Sequence, residues 1–315
     1  MVPWLLLSTM MVQLERPLEP MIAEQLPSSP PPPCVPWASG KCEPYDAAAA
    51  AATKYLHDNM FAWDVPNAQS LFQGVAAASV SLALQARQRF GWAATVPREL
   101  WEQYVLPYAS VNEARTDWRQ LMWDAFTAEP WLHALANSSS LESVALAVNA
   151  HTWASLRPGA KPIVFRSEQT PLIFDAMSTI AFGYASCTGI SITYVNALRA
   201  VGVPARLVGT PAWHDRTEDG NHNWVEVWLG GSKGWSFIEG SPAGPGETFA
   251  DPCDKWFCHP SHFFANGTGT RTYAAVYGKP AAGGPHYPME WDTANKAVAG
   301  VDRSAYYDAT CSRCA

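Results

Sequence analysis

The stretch Ala185-Ser186-Cys187-Thr188-Gly189-Ile190 opens a long segment in which apolar residues recur at helical spacing. Gly202 and Pro204 interrupt that periodicity. The pattern predicts a helix over 189–200, with Cys187 in or just before its first turn. Unpaired backbone N–H groups in a first turn favour an anion and lower the pKa of a thiol. The sequence therefore predicts a reactive setting for Cys187.

Three β-strands are predicted after this helix, at residues 205–210, 223–229 and 235–239. The second strand alternates and is rich in Val and Trp, and Gly230-Gly231 after it is a hairpin signal. His222 comes 35 residues after Cys187, next to the second strand, and Glu239 ends the third. This order predicts an α+β fold in which a helix bearing the cysteine packs on an antiparallel sheet.

The length of the hairpin loop decides whether Glu239 can reach His222. If Gly230-Gly231 alone forms the loop, the two residues face each other at about 5 Å between Cβ atoms. A four-residue loop, 230–233, leaves them diagonal on the same face, whereas an odd loop length without a bulge separates them onto opposite faces. Glu226 shares the His222 face but lies about 13 Å away along the strand, so it is the poorer partner.

Cys187, His222 and Glu239 carry the groups that thiol-based acyl transfer needs. A thiol is mostly protonated at neutral pH, so it needs a base or a positive environment to become a nucleophile. The base in turn needs a group that fixes its tautomer. We predict that Cys187 is the nucleophile, His222 the base and Glu239 the orienting carboxylate.

The three motifs resemble the core of the transglutaminase-like superfamily, a group of papain-like thiol enzymes. The family pattern is Cys-x-Gly at the start of a helix, then His-x-Trp-Val-Glu, then Trp-x-x-x-Asp. The matching stretches are Cys187-Thr188-Gly189, His222-Asn223-Trp224-Val225-Glu226 and Trp235-Ser236-Phe237-Ile238-Glu239. Glu239 departs from the family, which usually has Asp there. The resemblance is to bacterial-type members of unknown substrate; it is strongest over 183–242 and extends over roughly 95–310.

The resemblance implies a papain-like α+β core preceded by a helical part, and an enzyme that acts on an amide through a thioester on Cys187. Hydrolysis of a peptide or amide is the expected reaction, because the sequence shows no calcium-ligand loop and no second amine-binding site. Transamidation of a protein glutamine is one alternative. A catalytically silent module that binds a peptide or glycan on the same fold is another. The expected partner is a peptide or protein amide substrate.

Further site residues are predicted around the nucleophile. The backbone N–H of Cys187 is the natural first donor to a developing oxyanion, and Gln169 upstream is the candidate second donor. Gln169 is equally compatible with a loop amide that caps a helix. Tyr184, Trp213 and Trp224 are candidates for lining the cleft, with core packing as the other interpretation.

Composition excludes several classes of function. The chain has 315 residues, a formal net charge of −7 and no basic run, which argues against a nucleic-acid partner. No glycine pattern typical of a P-loop or a Rossmann fold occurs, so no cofactor is predicted. The apolar stretch over 4–12 is too short to span a bilayer, and no transmembrane segment is predicted.

Four regions are predicted along the chain. The first is a linker or disordered segment, because 27–36 is rich in Ser and Pro; its apolar stretch resembles only a weak signal peptide, without a basic start or a clear cleavage site. A helical region, the transglutaminase-like core and a loop-rich extension packed on that core follow. Their predicted bounds are 1–45, 46–160, 161–245 and 246–315.

The seven cysteines divide into Cys187 and three pairs that are close in sequence. Even pairing suits local disulfides in an oxidising compartment, although six cysteines allow fifteen connectivities. The sequons at Asn137 and Asn266 are candidate glycosylation sites, and with the cysteine pairs they favour a secreted or extracellular protein, while a cytoplasmic location stays open. A zinc site of Cys253, Cys258, His259 and His262 matches no familiar spacing, so no metal is predicted. The disulfide candidates are Cys34, Cys42, Cys253, Cys258, Cys311 and Cys314.

Overall fold

Helices form most of the described chain before residue 200, and the main sheet follows them. The computed structural model describes residues 34–136, 138, 140–168, 174–244, 248–249 and 252–314. The helices are α1 (Tyr45–Asn59), α2 (Ala68–Gln73), α3 (Val75–Arg89), α4 (Gly91–Ala94), α5 (Arg98–Tyr104), α6 (Trp118–Thr127), α7 (Pro130–Ala134), α8 (Leu141–Ser155), α9 (Ala176–Phe182), α10 (Cys187–Ala200), α11 (Pro260–Phe263) and α12 (Ser304–Cys311). The strands are β1 (Cys34–Pro36), β2 (Cys42–Pro44), β3 (Val164–Phe165), β4 (Tyr184–Ala185), β5 (Ala205–Thr210), β6 (His222–Trp228), β7 (Trp235–Ile238), β8 (Tyr273–Val276) and β9 (Ala299–Asp302). The predicted α+β class with a helical N-terminal part is confirmed.

The main sheet has five antiparallel strands in the order β7-β6-β5-β8-β9. β5 and β6 pair along nearly their whole length, from Ala205 opposite Val227 to Thr210 opposite His222. β8 and β9 lie beyond the boundary predicted at residue 245, so the segment expected to be a loop-rich extension also completes the sheet. Two further pairs, β1-β2 and β3-β4, form separate two-stranded sheets.

The helix α10 is buried along its length, because every residue from Thr188 to Ala200 lies in the interior. It contacts β5 and β6 of the sheet and the helices α3, α6, α8 and α9. A helix that is enclosed on all sides must give its polar residues internal partners. Ser191 Oγ donates to the carbonyl of Asn223, and the guanidinium of Arg199 donates to backbone carbonyls of neighbouring segments. Packing therefore fixes where the N-terminus of α10 lies.

The β6-β7 hairpin has the four-residue loop, the second of the two even loop lengths considered from sequence. Trp228 pairs with Trp235 and Val225 with Ile238, and the N–H of Leu229 donates to the carbonyl of Gly234 at 3.0 Å. This register places His222 and Glu239 diagonally on the same face of the sheet. Gly230, Gly231 and Gly234 have φ of 79°, 50° and 60°, a left-handed region that glycine adopts without strain.

Different parts of the chain cover the two faces of the sheet. Val225, Val227 and Ile238 face the large core that contains α10. The opposite face, which begins with His222, is covered by the segment around α11 and α12. The second core comprises Val208, Trp213, Trp224, Phe237, Phe257, Cys258, Phe263, Ala274, Tyr307 and Cys311.

Two disulfides hold the C-terminal part together, and they correct the expectation of local pairing. Cys253 joins Cys314 and Cys258 joins Cys311, across sequence separations of 61 and 53 residues. The neighbours in sequence do not pair because α12 runs back past the turns that carry Cys253 and Cys258. Long loops of this kind restrict the unfolded chain more than short ones do. The local pair Cys34–Cys42 forms as predicted.

The N-terminal segment predicted over 1–45 lies outside the described residues up to position 33. Residues 34–44 differ from that prediction, since they form the β1-β2 hairpin closed by its disulfide. Trp37 of this hairpin anchors it to the helices, with the guanidinium groups of Arg87 and Arg98 at 4.1 and 4.4 Å from its ring centroid. Across the described ranges, no helix combines the length and apolar character needed to cross a membrane.

A buried asparagine on α8 fixes the strand end that carries Glu239. Asn149 Nδ2 donates to the carbonyl of Glu239 at 2.9 Å, and the N–H of Ser241 donates to Asn149 Oδ1 at 2.7 Å. Gly240 between them admits no side chain, because an added Cβ would lie 2.6 Å from Ile190. One amide thus satisfies both backbone groups that flank this close contact with α10.

Replacing Asn149 with Ala leaves the Glu239 carbonyl and the Ser241 N–H buried without partners. We expect the free energy of unfolding to fall by about 3 kcal/mol, since each unpaired buried group costs about 1–3 kcal/mol. Urea unfolding monitored by Trp fluorescence measures the loss. Gln120→Ala, which removes a solvent-exposed amide contact to Asp124, is the matched control and should change stability by less than about 0.5 kcal/mol. Equal losses in both variants would contradict the assigned role of Asn149.

Candidate functional site

Cys187 is the first residue of α10, a helix that packs against β6. Its side chain is partly exposed, and it is the one free cysteine, because the other six form disulfides. The first-turn N–H groups of a helix of this length favour a negative charge at this position. The thiol is therefore both accessible and placed where a thiolate is stabilised.

His222 is the first residue of β6, and its imidazole hydrogen-bonds the thiol of Cys187. Its Nε2 is hydrogen-bonded to Oε1 of Glu239, so Nδ1 is the ring nitrogen that remains for the sulfur. The backbone N–H of Asn223 also donates to the sulfur. Residues from a helix and from the neighbouring strand thus meet at one point.

Glu239 reaches His222 across the diagonal register of the hairpin. Diagonal partners on one face of a sheet have Cα atoms about 7–8 Å apart, so a longer side chain spans the gap better than Asp would. Its second oxygen, Oε2, accepts a hydrogen bond of 2.9 Å from Nε1 of Trp256. The carboxylate is 1% exposed and has a donor on each oxygen. The Glu that departs from the family pattern therefore fits the geometry of this hairpin.

The pKa values of the cysteine and histidine shift in opposite directions. Burial alone would raise the pKa of the Cys187 thiol, but hydrogen bonds from His222 and the Asn223 N–H, with the charge of His222, lower it. Burial would lower the pKa of His222, but its bonds to Cys187 and Glu239 raise it to about 10. Both shifts favour a thiolate beside an imidazolium.

Trp256, which sequence reasoning missed, covers the pair formed by His222 and Glu239. Its ring meets the imidazole edge to face at 4.9 Å between centroids, and it remains 41% exposed on its outer side. It lies between Cys253 and Cys258, the two cysteines that tie this segment to α12. Nothing local in the sequence marks it, since its contact with His222 depends on those long-range disulfides.

Glu226 takes no part in the pairing with His222, as the spacing along the strand predicted. Its Oε2 accepts from Nε and Nη2 of Arg206 at 2.8 and 2.6 Å, and its Oε1 accepts from Arg303 at 2.9 Å and from Tyr307 at 3.0 Å. The carboxylate is completely buried. These contacts join β6 to β5 and α12, which is a structural task.

The predicted cleft-lining residues have different surroundings. Trp224 is fully buried and donates through Nε1 to Tyr307, so it packs behind His222 and does not line a cleft. Trp213 is 8% exposed, and its ring stacks on those of His222 and Trp224. Tyr184 is half-buried under the guanidinium of Arg166, at 4.7 Å. The oxyanion candidate Gln169 lies outside the described residues.

A second carboxyl group lies near Cys187, and sequence reasoning also missed it. Glu290 precedes β9 and accepts a hydrogen bond of 2.5 Å from Nδ2 of Asn223. The same amide donates to Thr188 at 3.0 Å and accepts from the hydroxyl of Tyr287. Burial raises the pKa of Glu290 to about 7, against the lowering effect of its own N–H and of Asn223. No sequence motif joins this residue to Cys187.

The remaining predicted sites can be located in part. Cys253 and Cys258 are in disulfides, so they have no thiolates to offer to a zinc ion with His259 and His262. Within the part of the chain that the structure describes, no group of three or more His, Cys, Asp or Glu residues is arranged to hold a metal. Asn266 is exposed at a tight turn, whereas Asn137 lies outside the described residues.

The ion pair predicts unusual reactivity of Cys187 at mildly acidic pH. We expect iodoacetamide to alkylate it at pH 6 at least about tenfold faster than a free thiol whose pKa is near 8.5. The rate should fall only when the pH drops through the lowered thiol pKa, because protonation then removes the thiolate. His222→Asn should abolish this advantage, and mass spectrometry of the oxidised protein follows the single free thiol. A rate that tracks glutathione at every pH would contradict the ion pair.

The contact from Trp256 predicts a smaller effect of the same kind. Trp256→Phe keeps a ring over His222 but removes the donor to Oε2 of Glu239, which loosens the carboxylate that orients the imidazole. We expect alkylation of Cys187 at pH 6 to slow by about three- to tenfold, the size of a lost hydrogen bond to a charged group. Trp228→Phe, on the same strand face but beyond Glu226, is the control and should leave the rate unchanged. Equal rates in the two variants would remove Trp256 from the site.

Comparisons with known proteins agree with the position of this site. Residues 136–239 match the family described as the transglutaminase-like superfamily, a span that contains Cys187, His222 and Glu239. No curated protein sequence matches the chain. The match begins at residue 136, earlier than the core boundary predicted at 161.

Two solved structures are similar at a low level. The transglutaminase of red sea bream shares 14% identity, with a TM-score of 0.37, over 67% of this chain and 44% of its own. A "Putative Cysteine Protease" from Cytophaga hutchinsonii shares 14% identity, with a TM-score of 0.26, over 58% of this chain and 57% of its own. The chain thus spans about half the length of either protein. On the family match, the segment 136–239, which contains the helix and the hairpin that form the site, is a transglutaminase-like region.

Proposed function

We propose that this protein is a thiol enzyme that hydrolyses an amide or peptide bond through a thioester on Cys187. The single observation that carries the proposal is the hydrogen-bonded chain from Cys187 through His222 to Glu239. Members of the superfamily include transglutaminases and cysteine proteases, which supports a thiol mechanism but does not choose among them. The partner in this proposal is a peptide or protein that carries the amide.

The first half of the proposed reaction forms the thioester. The Cys187 thiolate attacks the carbonyl carbon of the amide, and the carbonyl π electrons move onto the oxygen. The backbone N–H of Cys187, at the start of α10, is the donor available to that oxyanion. His222 then gives its Nδ1 proton to the departing amine as the C–N bond breaks, while Glu239 holds the ring through Nε2.

The second half of the proposed reaction releases the acyl group. Neutral His222 takes a proton from water, the resulting hydroxide attacks the thioester, and the C–S bond breaks to return the thiolate. Water suits this role because Cys187 is partly exposed. An amine in place of water would give transamidation, which stays the alternative reaction of the same thioester.

A catalytically silent binding module is the competing proposal from another class. It would need an unreactive Cys187, whereas the thiol here is partly exposed and hydrogen-bonded to a histidine. A structural cysteine gains nothing from an imidazole with a pKa raised to about 10. The geometry therefore favours the enzyme.

A peptide mixture distinguishes the reactions in one experiment. The protein is incubated with peptides that contain Gln and Asn, with and without monodansylcadaverine, and the products are identified by mass spectrometry. We expect cleaved peptides or a gain of about 1 Da from side-chain hydrolysis, whereas addition of the dansyl amine would indicate transamidation. Rates should fall by about a thousandfold or more in Cys187→Ala, because a nucleophile and its base act as one unit.

The controls separate loss of chemistry from loss of folding. Glu239→Gln keeps the size of the side chain but removes its charge, so it should retain the fold and lose most of the activity. Glu142→Gln, at the exposed pair with Lys233, should behave as the unaltered protein. If Cys187 alkylates slowly and no peptide changes, the enzyme proposal fails and the binding module takes its place.

A further inference from the structure

Glu290 lies near Cys187 and is linked to it through Asn223. It is partly exposed, and the amide of Asn223 ties it to the residue whose N–H bonds the sulfur of Cys187. An ionised Glu290 raises the pKa values of Cys187 and of the buried Tyr287, which lies in the same loop. The charge of His222 in turn lowers the pKa of Glu290. The network places the carboxyl group of this partly exposed residue near the Cys187 thiol.

The activation of the thiol does not account for this carboxyl group. An ionised Glu290 raises the pKa of the Cys187 thiol and so opposes the thiolate. Among the described residues, no Lys or Arg forms an ion pair with it, in contrast to the buried Glu226. The positive charge near it is the imidazolium of His222, which Glu239 already binds. A half-buried carboxylate without a cation of its own that disfavours the thiolate is suited to receive a cation from outside.

We propose that Glu290 is a substrate-binding residue that receives a positively charged group, an ammonium or a guanidinium, next to the scissile amide. This inference rests on the proposed function and adds the substrate class to it. The amide of Asn223 holds Oε1, while the rest of the carboxylate faces the bound group. A peptide with Lys, Arg or a free α-amino group beside the cleaved bond has this chemistry.

The bound cation is part of the acyl donor and not an attacking amine. An amine that attacks a thioester must be neutral, whereas a carboxylate partner stabilises its ammonium form. Glu290 would therefore slow an amine acceptor that it bound. The same subsite suits a permanent positive charge that only has to be held in place.

Ionisation of Glu290 gives the subsite a pH dependence. The carboxyl is neutral below its raised pKa of about 7 and negative above it, so preference for cations appears as the pH rises through that value. His222 stays protonated over this range because its own pKa is about 10. Titration of the Cys187 thiol changes its rate of reaction with both reagents by the same factor. The ratio of the two rates is therefore independent of that titration.

Charge-selective thiol reagents test the inference directly. Cys187 is treated with methyl methanethiosulfonate, which is neutral, and with its cationic 2-aminoethyl analogue, and the two rates are compared from pH 5.5 to 8.5. Each reaction transfers the thio group to sulfur and releases methanesulfinate. We expect the cationic-to-neutral ratio to rise by about five- to tenfold through pH 7, the effect of one charge near a partly solvated site.

Three variants keep the test decisive. Glu290→Gln keeps the bond from Asn223 but loses the charge, and should hold the ratio at its low-pH value throughout. Glu290→Asp keeps the charge and should keep the rise. Asp124→Asn removes an equal charge from the exposed face of α6 and should match the unaltered protein. Thermal melts confirm that each variant is folded.

The outcomes separate this inference from the proposed function. A ratio that rises identically in the unaltered protein and in Glu290→Gln overturns the cation subsite, whatever the absolute rates are. Slow reaction with the neutral reagent argues against the thiol enzyme, yet the ratio still decides whether Glu290 attracts cations to Cys187. A rise that is present with Glu or Asp and absent with Gln supports the inference.

Discussion

Burial of α10 on all sides is the constraint from which the rest of the structure follows. A fully enclosed helix has one permitted position, since any shift would open cavities or overlap its neighbours. Its first residue is Cys187, so packing of the helix also sets the position of the thiol. Asn149 adds a second constraint, because it locks the strand end with Glu239 against the same helix. The Cys187 thiol and the Glu239 carboxylate are thus fixed by one core.

The two faces of the main sheet have different roles. The face towards α10 is apolar and supplies stability, as Val225, Val227 and Ile238 show. The opposite face carries His222 and Glu239, and would expose both to water without the C-terminal segment. Two long-range disulfides hold that segment and its Trp256 in place. Excluding water from the pair strengthens its electrostatic interaction, so the extension contributes to the site as well as to stability.

Sequence predicted the elements that depend on local pattern. The helix after Cys187 and the strand with His222 follow from hydrophobic spacing, and the same-face position of Glu239 follows from an even hairpin loop. What sequence could not predict rests on long-range packing. Trp256 reaches His222 only because the disulfides cross-link as they do, and Glu290 reaches Asn223 only because β8 and β9 join the sheet. Alternation alone does not decide whether Trp224 lines a cleft or packs in the core, because it does not reveal that another layer covers its face.

The charges of the site then have a common logic. Glu239 and the imidazolium of His222 form a buried pair in which every strong donor and acceptor is used, so neither is free to bind substrate. Glu290 lies near the sulfur and forms no ion pair with a Lys or Arg among the described residues, and its negative charge disfavours the thiolate. A site with only Cys187 and His222 would need neither the carboxyl nor the asparagine that holds it. The arrangement therefore fits a substrate that brings its own positive charge, because its arrival would neutralise Glu290 and relieve the repulsion of the thiolate at the moment of attack.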